Sequence, residues 1–246
     1  MNYLEFNSVA YRDAFHLAVA DLRLSLGSDG SERAKQGLKR MLAMQGYIDF
    51  MQQLDEEQAE YGDRLSDSSD ASRVGGMVLE LLDDIGQMAV SRGLVSTMQR
   101  MQQMSLPVAL WIARHQGEIE KLDIVVNAIA AIANEDKSQR QLTELCHVIT
   151  QVQASVSEKI RRDVEIDDPM RPWKILNLNW GIVATRTLSP HLMEVVFEAL
   201  IHAIPSDAQA FFQEGMLQMD IVGYPDAVRE VMTRYNKLTG PDNRLH

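Results

Sequence analysis

Apolar side chains recur along this chain at intervals of three and four residues, the spacing that lines one face of a helix. Tyr11, Phe15, Ala18 and Leu22 predict a first helix over 7–26, ended by the segment GSDG. Ser31 reads as the cap of a second helix reaching Tyr61. Leu38, Met41, Met44, Ile48 and Met51 form its stripe, and Gly46 is a point where it can bend. Met77, Leu81, Ile85 and Met88 mark a third helix that stops near Gly93, and Met98, Met101 and Met104 a fourth over 94–104. Ser105 and Pro107 read as a fresh start, opening a fifth helix that Gly117 breaks after His115. Ile119, Leu122, Val126, Ile129 and Ile132 predict the next. The segment 138–164, with Leu142, Leu145, Ile149, Val152 and Val156, is the longest clean amphipathic stretch. Its seam suits packing within the chain, with a homodimer interface as the alternative.

Toward the C-terminus, Trp173 and Trp180 lie seven residues apart on one helical face and read as wedges between helices. Over 189–204, Ser189 caps and Pro190 opens a helix that is apolar on three sides, through Met193, Val196, Phe197 and Leu200 among others. Phe212, Met216 and Met219 mark the next helix. Val228, Val231, Tyr235 and Leu238 mark the last, stopped by Gly240 and Pro241.

No stretch alternates as a half-buried strand does. The pattern predicts an all-α fold, a compact array of about ten mostly antiparallel helices. An irregular α-solenoid is the alternative, disfavoured because no repeat period is visible. The Ser- and Asp-rich segment 63–72 reads as a linker or mobile loop, and 163–173, with two prolines, as a second. They divide the expected chain into a larger helical part, 1–164, and a C-terminal part, 173–246, packing together as one continuous domain.

The net charge of −11 argues against a nucleic-acid partner, and no basic run offsets it. No apolar run is long enough to cross a membrane, and the N-terminus lacks the pattern of a signal peptide, so a cytoplasmic protein is expected. The single cysteine, Cys146, excludes an internal disulfide and reads as a small packed hydrophobe.

Candidate chemistry is sparse. There is no nucleophile elbow, no HExxH and no P-loop, and Gly75-Gly76 lacks the rest of a nucleotide fingerprint. Glu144 and His147 form one Glu-x-x-His pair, but they point away from the apolar stripe of their helix, and a di-iron bundle needs two inward-facing pairs. The sharpest candidate is the stripe His191, Glu194, Glu198 and His202, at spacings of three, four and four. Imidazole and carboxylate suit zinc, iron or manganese. The stripe is about 16 Å long at the helical rise, so one ion would need ligands from a second helix. Asp207, Glu214 and Asp220 are nearest in sequence. The plainer reading is the wet face of a buried helix.

The sequence therefore favours a non-catalytic protein acting through protein–protein contacts, with no cofactor. Its 14 methionines, in apolar stripes, suit adaptable contact surfaces. The alternative is an enzyme or sensor with a divalent metal or small molecule bound beside 191–202.

Overall fold

A computed structural model of the chain describes residues 6–61, 68–135, 137–162 and 171–240. Their helices are α1 (Ser8–Ala18), α2 (Ala20–Gly27), α3 (Glu32–Tyr61), α4 (Ser68–Val90), α5 (Val95–Arg114), α6 (Asp123–Asn134), α7 (Gln139–Ser155), α8 (Glu158–Arg162), α9 (Pro172–Arg186), α10 (Pro190–Ala203), α11 (Pro205–Val222) and α12 (Asp226–Leu238). Among the described residues there is no sheet. The expected all-α architecture is what forms, as twelve helices among the described residues, some split and some fused relative to the periodicity.

The differences have local causes. The first predicted helix breaks at Val19, giving α1 and α2. Residues 68–72, expected in a loop, are the first turns of α4; the rest of that segment lies outside the described residues, as do 163–170 of the second loop. The fourth and fifth predicted helices are one continuous helix, α5, with Pro107 inside it. An interior proline removes a backbone hydrogen bond and costs about 3 kcal/mol. Here residues 104–112 are all buried, and that packing offsets the loss. Ser105 is no cap: its hydroxyl lies 2.6 Å from the Gln102 carbonyl oxygen and 3.1 Å from that of Ile124.

Ile119 belongs to no helix. It forms an isolated parallel bridge with Val156: the Ile119 N–H donates to the Ser155 carbonyl at 2.7 Å, and the Ser157 N–H donates to the Ile119 carbonyl at 3.1 Å. The same bridge ends the predicted long helix of 138–164 at Ser155, and α8 is a separate short turn.

The chain divides into two compact units, one formed by Met1–Ile132 with Gln151–Lys159, the other by Ala133–Thr150 with Ile160–His246. The stretch Ala133–Thr150, placed by the sequence in the N-terminal part, groups with the C-terminal residues.

In the first unit α5 is the central helix, packed by α4 and α1. Gly75 of α4 sits against Ile112, where any Cβ would overlap the isoleucine side chain, so this glycine permits the close approach of the two helices. In the second unit α10 packs on α9, α11 and α12. Its Phe197 meets Phe212 edge-on at 5.0 Å between centroids and Tyr235 at 5.3 Å. These T-shaped contacts use the ring quadrupole as well as the buried area.

Candidate functional site

Ser189 caps α10 as its sequence implies, accepting from the Leu192 N–H at 3.4 Å, and Pro190 occupies the first turn. Met193, Val196, Phe197 and Leu200 are buried, which leaves the stripe His191, Glu194, Glu198 and His202 on the outward side. That side borders an open cleft of about 1260 Å³, lined by Glu194, Glu198, Arg234 and Tyr235 among others.

The four residues do not act together. Glu194 pairs with Arg234 of α12, which also lies over the Tyr235 ring at 5.4 Å. The Tyr235 hydroxyl is 3.2 Å from the Glu194 carbonyl oxygen and 3.2 Å from Glu198 Oε1. Partial burial and the neighbouring Glu198 raise the Tyr235 pKa above its ordinary value. His202 turns back on its own helix, its Nδ1 2.7 Å from the Glu198 carbonyl oxygen, which makes that nitrogen the donor. His191 is exposed and lines no part of the cleft.

The nearby carboxylates are engaged elsewhere. Asp207 pairs with Arg171 and Lys174, Asp220 with Arg229, and Glu214 accepts from Gln218 one turn along α11. Among the described residues no three His, Cys, Asp or Glu side chains gather as a metal shell requires. His147 is exposed, and Glu144 pairs with Arg140 on its own helix. Cys146 is buried, and burial pushes its thiol pKa up to about 12, which removes it as a nucleophile.

A second surface of the same unit carries a different signal. A groove of about 370 Å³ runs between α9 and α11, lined by Ile182, Phe211, Met219, Val222 and Met232 with few polar groups. Ile182 is 47% exposed and Val222 60%. Beside the groove, α11 shows Leu217 at 60% exposure and Ile221 at 76%. At 100° per residue, Leu217 and Ile221 lie one above the other, adjacent to the groove-lining Glu214 and Gln218. Gly223, left-handed at φ 75°, ends α11 just past Val222.

The first unit holds a polar cluster that stripe reading overlooked. Asp55 Oδ1 accepts from Trp111 Nε1 at 2.9 Å, from Arg114 Nη2 at 2.7 Å and from His115 Nε2 at 2.7 Å. An ionised carboxylate only accepts, so His115 carries its proton on Nε2. Partial burial alone would raise the Asp55 pKa. The hydrogen bond from His115, the Arg114 charge and the Trp111 N–H outweigh it and hold that pKa below the ordinary carboxylate value. His115 is itself buried, stacked at 4.6 Å from Trp111. This is a clamp between α3 and α5.

Compared with known proteins, the chain matches no family model, no curated protein and no solved structure. No described helix is long and apolar enough to cross a membrane.

Proposed function

We propose that this chain is a cytoplasmic, non-catalytic protein that works by contact with another protein, and that its docking surface is the α9–α11 groove with the adjoining face of α11. The observation that carries the reading is the exposure of Ile182, Leu217, Ile221 and Val222 around one apolar groove. Together they leave on the order of a few hundred Å² of apolar surface in water, the size at which a patch on a folded protein marks an interaction site. A patch flanked by charged side chains such as Arg186 and Glu214 has the anatomy of a protein interface, apolar in the middle and polar at the rim.

The test is a photo-crosslinking amino acid placed at Ile182 or at Val222, in cells that make the protein. A discrete protein adduct is expected from both positions and none from Arg140, which is exposed on α7. Adducts no different from those at Arg140 would end this reading.

A second reading keeps the α10–α12 cleft as a small-molecule or divalent-metal site. Its support is that Glu194 and Glu198 both reach the cleft beside Tyr235. Metal analysis of the purified protein, paired with a Glu198→Gln variant, tests it. Stoichiometric metal lost in the variant would favour it over docking. No metal and no change in melting on adding zinc or manganese would eliminate the metal.

A further inference from the structure

We propose that Met216 is a site of reversible oxidation, at which Thr233 of α12 holds the oxygen of the methionine sulfoxide. Helices α11 and α12 carry three methionines between them. Met219 and Met232 are buried, and Met216 is partly exposed. A Cβ on Gly215 would lie 2.6 Å from Met232 Sδ, so that thioether fills the notch the glycine leaves and has no room for an added atom on that side. Met216 differs in both respects. Its residue meets solvent, and a donor stands beside its sulfur. Thr233 Oγ1 is 3.6 Å from Met216 Sδ and 2.8 Å from the Arg229 carbonyl oxygen.

The hydroxyl has one proton and two acceptors to choose between. A thioether is a weak acceptor, so in the reduced chain the proton goes to the nearer Arg229 carbonyl. That carbonyl already receives the Thr233 N–H within the helix, and it loses little if the hydroxyl turns away. Oxidation makes the Met216 side chain polar and places an oxygen on its sulfur, a far stronger acceptor than the thioether. The hydroxyl then turns from its own helix to α11 and ties the two helices together. A sulfoxide between helices with no donor would leave a polar oxygen unpaired, at a cost in stability. Thr233 removes that cost at this one sulfur.

The oxidant is a peroxide. A lone pair of the sulfur attacks one peroxide oxygen, the O–O bond breaks, the S–O bond forms, and the other oxygen leaves as water with both protons. Sulfur gives up two electrons and the peroxide takes them. The return step uses a dithiol, which closes to a disulfide while the oxygen leaves as water. Met77, 41% exposed, and Met98, partly exposed, also meet solvent and react with the same oxidant. Access therefore does not single out Met216; the hydroxyl beside its sulfur does.

The experiment treats the full chain with dilute hydrogen peroxide, locates added oxygen by peptide mass spectrometry, and compares the melting of wild type, Thr233→Val and Thr233→Ser. Sulfoxide at Met216 is expected in all three. Oxidised Thr233→Val should melt about 2–4 °C below oxidised wild type, the shift of one hydrogen bond in a chain of this size. The reduced pair should agree within about 1 °C. Thr233→Ser keeps the hydroxyl and should follow wild type in both states. A dithiol-dependent sulfoxide reductase should restore the thioether and erase the difference. On a Met216→Leu background the difference after peroxide should vanish. An unmodified Met216 beside oxidised Met77 overturns the proposal. Equal melting of the oxidised proteins overturns it as well, and so does a difference that persists on the Met216→Leu background. A Thr233→Val deficit of the same size before and after peroxide belongs to a purely structural threonine and also overturns it.

Discussion

Helices α5 and α11 are made of similar material and end in opposite situations. Each carries methionines on its apolar side, Met101 and Met104 in one, Met216 and Met219 in the other. In α5 eleven of the twenty residues are buried, and over 104–112 the burial runs all the way round. In α11 three of the eighteen are buried, while Leu217, Ile221 and Val222 stand in water. The first unit supplies α5 with neighbours on enough sides to absorb an interior proline and to seat a polar clamp at its end. The second unit packs α11 against α10 and α12 and leaves its other side open. Apolar content therefore does not measure core membership; how much of the helix surface its neighbours cover does. What is left over on α11 is available for binding.

That contrast breaks first, if it is wrong, at Trp111. Trp111→Ala removes a fully buried indole and one arm of the Asp55 clamp, and should cost about 3–5 kcal/mol, lowering the melting temperature by on the order of 10 °C. Leu217→Ala on α11 should move it hardly at all, within about 0.5 kcal/mol. Equal losses in a thermal scan would show that α11 is as much core as α5.

Gly75→Ala comes next. Its Cβ would overlap Ile112 and force α4 from α5, costing up to about 3 kcal/mol. Gly46→Ala, in α3 with nothing within 4 Å of the added carbon, should instead stabilise by up to about 1 kcal/mol through helix propensity. The pair distinguishes close helix approach from the general effect of losing a glycine.

Asp55→Asn should cost about 1.5 kcal/mol at pH 7, because three donors lose an ionised acceptor on a partly exposed carboxylate. The pH dependence has a definite sign. The folded-state pKa of Asp55 lies below its unfolded value of about 3.9. The contribution is then fully present above about pH 5 and lost as pH falls through the depressed folded value. Urea titrations of wild type and variant should keep a constant gap from pH 7 to about 5 and converge in stronger acid. A gap that widens in acid would mean that the carboxylate is not what the donors hold. The smallest effect belongs to His202→Ala, exposed and bonded only to its own helix, which should change melting by less than about 0.5 kcal/mol.

Much of this was legible beforehand, and the misses share a cause. Stripe spacing located α3, α4, α6, α10, α11 and α12, because each has one face that a core must cover. Asp55 could have been found the same way. It follows Ile48 and Met51 at the next stripe position, and His115 follows Val108 and Trp111 likewise. A charged residue in phase with a buried stripe is placed among core neighbours, and there it needs partners. Pro107 misled because Ser-x-Pro carries the same local preference at a helix start and inside a helix whose surroundings stabilise it. The stripe His191 to His202 was located as a stripe, but where each side chain turns depended on Arg234 and Tyr235, some forty residues away.

Local chemistry, then, was enough to dictate the helical class, most helix positions, the Ser189 cap and the absence of an internal disulfide. These follow from the period of the backbone and the preferences of a few neighbouring residues. Long-range packing settled that α5 runs through Pro107, that Ile119 pairs with Val156, that Asp55 meets His115, and which face of α11 stays in water. Periodicity says that a face is apolar; it does not say how many helices the rest of the chain has left to cover it.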